Sequence, residues 1–292
     1  MNEGQKIELK KGIYVLPSLF TCGNMTFGIL SVMSSIDGQF TRAAWLLVFA
    51  LVCDILDGRI ARLTHTTTDF GLQLDSLSDL VSFGIAPAMM IYTMVFKNPH
   101  IEVNFIKALS DNNIGIAIAI FYILCSALRL ARFNVMALKG VSFENFKGLP
   151  TPASAGVLIS FVLSYNLFES SQGIGLISKN IPILMKTMPT FFKAMPIVMV
   201  VLSFLMVSNV PYYSFKHMRL NKTKTIRLLV IIIALVLLII VYPENIFFII
   251  FVVYTVSGFI MLATNKILKK RKSKITGNIA QEIKQEEKES TS

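Results

Sequence analysis

A chain of 292 residues that is 54% hydrophobic and only 15% charged, with a mean hydropathy of +0.64, lies well outside soluble averages and reads as an all-α polytopic membrane protein. The net charge of +11 would suit nucleic acid, but no base-reading motif accompanies it, so the expected partner is the anionic face of a lipid bilayer and not nucleic acid. The three cysteines, Cys22, Cys53 and Cys125, fall inside apolar runs without metal-ligand spacing, which excludes a disulfide framework and leaves them as packing residues.

Apolar runs recur at Tyr14 to Ser35, Ala43 to Asp57, Leu72 to Phe96, Ile114 to Val135, Ala153 to Phe168, Met195 to Val210, Ile226 to Tyr242 and Ile246 to Ala263. Most approach the roughly 20 residues that a helix needs to cross the hydrocarbon core, so about eight transmembrane helices are expected. An even count puts both termini on one side. Every lysine and arginine except Arg42, Lys97, Lys107, Lys179, Lys186 and Lys193 falls on that side or in the spans bordering it. The positive-inside rule then makes the termini cytoplasmic. The N-terminus is polar and lacks a small-residue cleavage site, so no cleavable signal peptide is expected.

Residues 1–13 form a cytoplasmic segment in which Lys6, Lys10 and Lys11 alternate with apolar residues, either an interfacial helix or a solvated tail. Pro17 suits the first turn of span 1, and Ser18, Thr21 and Asn24 share one polar helical stripe near its cytoplasmic end. That stripe serves a site or simply bonds a neighbouring helix. Span 2 descends to Asp54 and Asp57. Arg59 to Phe70 reads as a polar, Thr-rich cytoplasmic turn, with His65 and Asp69 solvated, and span 3 climbs away with Gly71, Asp75 and Asp79 in its first turns. Lys97 to Asn113 is an outer segment without chemistry. Span 4 returns Arg129 and Arg132 to the cytoplasmic side. Thr151 and Pro152 are placed as N-cap and first helical residue of span 5. The outer loop from Glu169 to Pro189 is amphipathic. Spans 7 and 8 are almost purely apolar and read as scaffold, and the tail from Lys266 is basic, then Glu- and Lys-rich, with a disordered composition.

The chemistry concentrates between Asp54 and Asp79. An aspartate at the centre of a spanning helix is unfavourable by roughly 2.5 to 3.5 kcal/mol on insertion scales, so four of them near two helix ends need partners. Asp54 and Asp57 share a helical face with Gly58 and Ala61, while Gly71, Asp75 and Asp79 repeat at four on the next helix. Antiparallel neighbours joined by a turn bring both carboxylate pairs together, which cations make tolerable. Aspartate oxygens without Cys or His favour two hard divalent ions, Mg²⁺ or Mn²⁺, in the arrangement used for displacement at phosphorus. The glycines admit a nucleotide or a neighbouring backbone, and Arg62 offers a planar fork to phosphate. A chance match of the eight fixed residues Asp54, Asp57, Gly58, Ala61, Arg62, Gly71, Asp75 and Asp79 is on the order of one in a billion.

This pattern resembles the signature of the CDP-alcohol phosphatidyltransferase family at every fixed position. The likeness extends over Val15 to Met218 through Leu16-Pro17 with Thr21 and Asn24, Asp75 to Gly84, Arg129 to Asn134, and Gly148 to Pro152. It is strongest to members that transfer the phosphatidyl group of CDP-diacylglycerol to the hydroxyl of L-serine and release CMP. The resemblance implies a six-helix catalytic core within residues 14–218, two further helices within 219–264, a tail at 265–292, and a dinuclear metal site at the face of a bacterial cytoplasmic membrane. It implies Asp54, Asp57 and Asp75 as metal ligands, and Asp79 as both ligand and general base. Gly58, Arg62 and Thr68 would touch the CDP moiety beside Ala61 and Gly71, and Ser18 to Thr21 would close over the nucleotide. Ser18 stands where many relatives carry asparagine. Arg129 and Arg132 are candidate partners for the serine carboxylate, or cationic anchors that snorkel to headgroups.

Three alternatives stay in play. Glycerol 3-phosphate or an inositol phosphate would replace serine, although a phosphorylated acceptor calls for more basic residues. Intramembrane carboxylates also mark divalent-cation transporters, but those sites lie near the midplane on broken helices. Displacement at phosphorus proceeds either in one step or through a covalent enzyme intermediate. A homodimer is compatible with the chain.

Overall fold

The structure, a computed structural model, describes residues 3–64, 68–97, 112–138, 146–173, 182–212, 245–258 and 261. His65, span 7, the tail and most of the segment between Lys97 and Asn113 lie outside them. Helix α1 spans Glu3–Ile36 and α2 Phe40–Leu63. Helix α3 runs over Asp69–Phe96, α4 over Asn112–Leu138, α5 over Thr151–Gly173, α6 over Pro182–Val207 and α7 over Asn245–Gly258. A two-residue antiparallel pair joins β1 (Phe146–Lys147) to β2 (Pro211–Tyr212). Among the described residues, four helices are long and apolar enough to cross a membrane: α1 from Pro17, α3, α4 and the second half of α6. Helix α2 has 24 residues, but its second half carries Asp54, Asp57, Arg59 and Arg62. The protein is an integral membrane protein.

Three local expectations are corrected. Helix α1 starts at Glu3, so Pro17 lies inside it and not in its first turn. Helix α2 continues to Leu63, which keeps Gly58 and Ala61 on the expected helical face, but Arg59 to Leu63 and Asp69 to Phe70 are helix where a turn was expected. Helix α5 starts at Thr151, whose hydroxyl accepts from Arg129 Nη1 at 2.7 Å instead of serving as the cap.

Helix α3 is the central post. Phe83, Ala86, Ala88, Met90 and Ile91 are fully buried on it, against Ala43, Ala44, Leu47 and Ala50 of α2 and Ala155, Leu158 and Phe161 of α5. Small residues at these crossings let backbones approach where lipid supplies no hydrophobic drive. Ile116, Ile120, Leu124 and Leu128, at i+4 spacing on α4, are exposed, as are Ile29, Leu30 and Met33 on α1. In water such faces would drive aggregation, whereas in a bilayer they meet acyl chains. Cys22 is exposed, so it does not pack inside the bundle as its sequence context suggested.

Two wide turns interrupt α3, at Leu80–Ile85 and Tyr92–Phe96. The first precedes Pro87, which has no N–H and whose ring would crowd the Phe83 carbonyl. That carbonyl accepts from Tyr122 Oη at 3.4 Å instead. On the widened turn Ser82 abuts Gly28 of α1, where an added Cβ would lie 2.9 Å from the Ser82 Cα and press on its hydroxyl. Gly28→Ala is expected to push α1 away from α3 at a cost of about 1 to 3 kcal/mol. Thermal unfolding in detergent should show a lowered midpoint, and an unchanged one would contradict this packing.

Gly148 adopts φ +88°, a conformation that disfavours a side chain. Its N–H donates to the Val210 carbonyl at 2.9 Å, and Leu149 N–H to the Leu205 carbonyl at 3.0 Å. The segment before α5 is thereby laced to the end of α6.

Candidate active site

Thr68 caps α3, its hydroxyl accepting from the Gly71 N–H at 3.0 Å. This cap starts the helix that carries Asp75 and Asp79. Opposite it, Arg62 Nε donates to the Gly58 carbonyl at 2.7 Å, which folds Arg62 along the end of α2. Helix α1 is pinned from the other side: Ser78 Oγ donates to the Thr21 carbonyl at 3.0 Å, and Ser82 Oγ to the Asn24 carbonyl at 2.9 Å. These two bonds fix the α1 backbone on α3 and turn the Thr21 and Asn24 side chains inward.

Carboxylate oxygens of Asp54, Asp57 and Asp75 lie within 4.8 Å of one another. Asp57 Oδ2 and Asp75 Oδ1 are buried and have no hydrogen-bond partner in the protein. Buried acceptors of like charge without donors fit a divalent cation, and an all-carboxylate set suits a hard one. Asp79 stands beside this group. It is buried, accepts from Asn24 Nδ2 at 3.5 Å, and feels the charges of Asp54, Asp75 and Arg129.

A cleft of about 310 Å³ opens alongside. Pro17, Ser18 and Thr21 line one wall, Asp57, Gly58 and Ala61 a second, and Thr68, Asp69, Gly71, Leu72 and Asp75 a third. Asp69, expected to be merely solvated, is exposed at this wall and belongs to the cleft. A Cβ on Gly58 would find only Arg62 Nη2 nearby, at 3.8 Å, so the glycine leaves the α2 backbone open to an occupant. Leu19, Leu63 and Phe70, which do not line the cleft, are 61%, 80% and 72% exposed on the outward faces of the same helices.

The two arginines of α4 have different partners. Arg129 is half-buried, held by Thr151 and facing Asp79. Arg132 donates from Nη2 to Asn209 Oδ1 at 2.6 Å and from Nη1 to the Val207 carbonyl at 3.4 Å. It thus stands at the C-terminus of α6, where a cation complements the helix dipole. Two residues on, Asn134 Nδ2 donates to Ser76 Oγ at 2.8 Å, which latches α4 to α3. The sequence signalled Asn24 as part of a polar stripe and of the family likeness, and it gave no partner for Asn134 or for the Thr151 hydroxyl, because those contacts join residues far apart in the chain.

Residues 14–190 match the CDP-alcohol phosphatidyltransferase family. The chain is 32% identical over 264 residues to CDP-diacylglycerol–serine O-phosphatidyltransferase of Helicobacter pylori strain J99, covering 89% of this chain and 98% of that one. It is 34% identical over 199 residues to archaetidylserine synthase of Methanothermobacter thermautotrophicus, covering 68% and 69% of the two chains. A further relative, CDP-diacylglycerol–serine O-phosphatidyltransferase of Methanocaldococcus jannaschii, is 37% identical over 140 residues, which is 48% of this chain and 60% of its own.

Proposed function

The chain belongs to the CDP-alcohol phosphatidyltransferase family and is a phosphatidyl-transferring enzyme, and on that premise we propose that it joins CDP-diacylglycerol to L-serine, giving phosphatidylserine and CMP. The convergence of Asp54, Asp57 and Asp75 beside a headgroup-sized cleft carries this reading. The names of its relatives supply the substrates.

In this reading Ser18, Thr21, Gly58, Ala61, Arg62, Thr68 and Gly71 receive the cytidine diphosphate, with the open backbone at Gly58 permitting the closest approach. Asp54, Asp57 and Asp75, with Asp79, would hold two divalent cations, Mg²⁺ or Mn²⁺. When bound, such ions neutralise charge at a phosphoryl centre. Asp79 accepts the proton of the serine hydroxyl. The serine oxygen bonds to the phosphorus that carries the lipid, the bond from that phosphorus to CMP breaks, and CMP leaves. Asn24 orients the Asp79 carboxylate through its amide. Arg129 receives the serine carboxylate; Arg132 is engaged at the end of α6 and braces the bundle. We assign the six-helix catalytic core to residues 14–218 in a chain of eight spans, with termini and site at the cytoplasmic face of a bacterial membrane.

The test is purified protein in detergent with CDP-diacylglycerol, Mg²⁺ or Mn²⁺ and labelled serine. Release of CMP with label entering lipid is expected. Label from glycerol 3-phosphate but not from serine would sink the choice of acceptor, and cation uptake into vesicles without CMP release would replace it with transport.

A further inference from the structure

Helix α7 lies beyond residues 14–190, which carry the family match, and its apolar sequence suggests scaffold. Its packing is more specific. Phe251 lies over Gly156 of α5, where no Cβ has room. Phe248 faces Phe161 with ring centroids 6.3 Å apart, so α7 runs antiparallel to α5. That register carries the next turn of α7, at Tyr254, to the first turn of α5, where Thr151 accepts from Arg129. There the Tyr254 ring lies against Tyr212, centroids 5.6 Å apart, and Tyr212 Oη donates to the Thr255 carbonyl at 3.5 Å. The Tyr212 ring also occupies the space beside Gly258, where a side chain would collide with it. Two glycines and two aromatic contacts therefore fix the height at which α7 meets α5. At that height Tyr254 lies within electrostatic range of Arg129.

The chemistry of these partners matters. A guanidinium has five N–H donors in a rigid fork. Thr151 engages one of them through a neutral oxygen, and a phenol is neutral as well. Neutral acceptors orient the fork without cancelling its charge, which stays available to an anionic ligand. Resting on the reading of Arg129 as the carboxylate partner of the acceptor, we propose that Tyr254 is a positioning residue. Presented by α7, it holds the Arg129 guanidinium toward Asp79 and so sets the affinity for the amino-acid acceptor. The acceptor side of the site thus includes a helix outside the matched family segment.

The experiment measures CMP release by full-length Tyr254→Phe, which keeps the ring and its contact with Tyr212, while serine and CDP-diacylglycerol are varied in turn. KM for serine should rise about fivefold, the scale of one polar contact to a charge, while KM for CDP-diacylglycerol and kcat stay within about twofold. Tyr254→Met removes the same hydroxyl on a different side chain and should do likewise. Val253→Ala, on the exposed side of α7, should change neither constant. In an Arg129→Lys background the effect of Tyr254→Phe should vanish, and an undiminished effect there overturns the proposal. So does an unchanged KM for serine, or a fall in kcat with a lowered thermal midpoint and no serine-specific shift. A wild-type protein that uses another acceptor and ignores serine overturns the acceptor reading and this proposal together. A serine-active wild type with an indifferent Tyr254→Phe overturns this proposal alone.

Discussion

Asp79→Asn is expected to lower CMP release by about three orders of magnitude and leave the protein folded. The substitution keeps shape and volume at a buried position, an asparagine oxygen can still accept from Asn24, and the Ser78 and Ser82 hydroxyls also hold α1 on α3, so their packing is preserved. It removes the group proposed to take the serine proton, and a positioned base is worth roughly 10² to 10⁴ in rate. It also sets an amide opposite the Asn24 Nδ2 that now donates to Asp79 at 3.5 Å. The rate is read with labelled serine at saturating substrate, and folding by the elution profile in detergent. A folded variant within tenfold of wild type would remove Asp79 from the role of base.

Asp75→Asn should abolish activity and yet raise the thermal midpoint in excess EDTA. Without a cation, carboxylates with oxygens within 4.8 Å repel one another. At an effective dielectric of about 20 each such pair costs about 3 to 4 kcal/mol. Neutralising Asp75 relieves its share, so the chelated variant melts a few degrees above chelated wild type. With excess Mg²⁺ or Mn²⁺ the order reverses, because ligand binding stabilises wild type by about 2.7 kcal/mol at a hundredfold excess over Kd, and the variant has lost a ligand. Crossing of the two midpoints with added cation is the diagnostic result. A wild-type midpoint indifferent to divalent ions would show that these carboxylates hold no metal.

The sequence made the site more legible than the bundle. Asp54, Asp57, Asp75 and Asp79 stood out because charge in an apolar run has to be compensated, and their spacing on two helices put them on facing stripes. Local spacing gave these positions without any knowledge of the remaining helices. What escaped were features that depend on partners distant in the chain. Thr151 looked like a cap because its own neighbours favour one, but Arg129, from another helix, takes its hydroxyl. Pro17 looked like a helix start because proline suits a first turn; the helix nevertheless runs through it, and the Pro17 carbonyl accepts from Thr21 Oγ1 at 3.1 Å. The widened turn at Leu80–Ile85 followed from Pro87, a cause visible in the sequence, but its use as a seat for Gly28 was not. Helix α7 read as scaffold because its specificity lies in glycines and rings that match other helices, and hydropathy does not register such matches.

The exposed apolar faces of the helices that carry the site, Leu19, Leu63 and Phe70 among them, change what concentration means for it. A donor whose acyl chains lie in the bilayer around these helices arrives sideways, by diffusion within the plane of the membrane, and not from the aqueous volume. The site then counts donor molecules per unit area. Inert lipid added to the same vesicles slows turnover at fixed bulk donor, whereas diluting the whole vesicle suspension does not. Serine, arriving from water, obeys the opposite rule, so the cleft is a junction between a two-dimensional supply and a three-dimensional one.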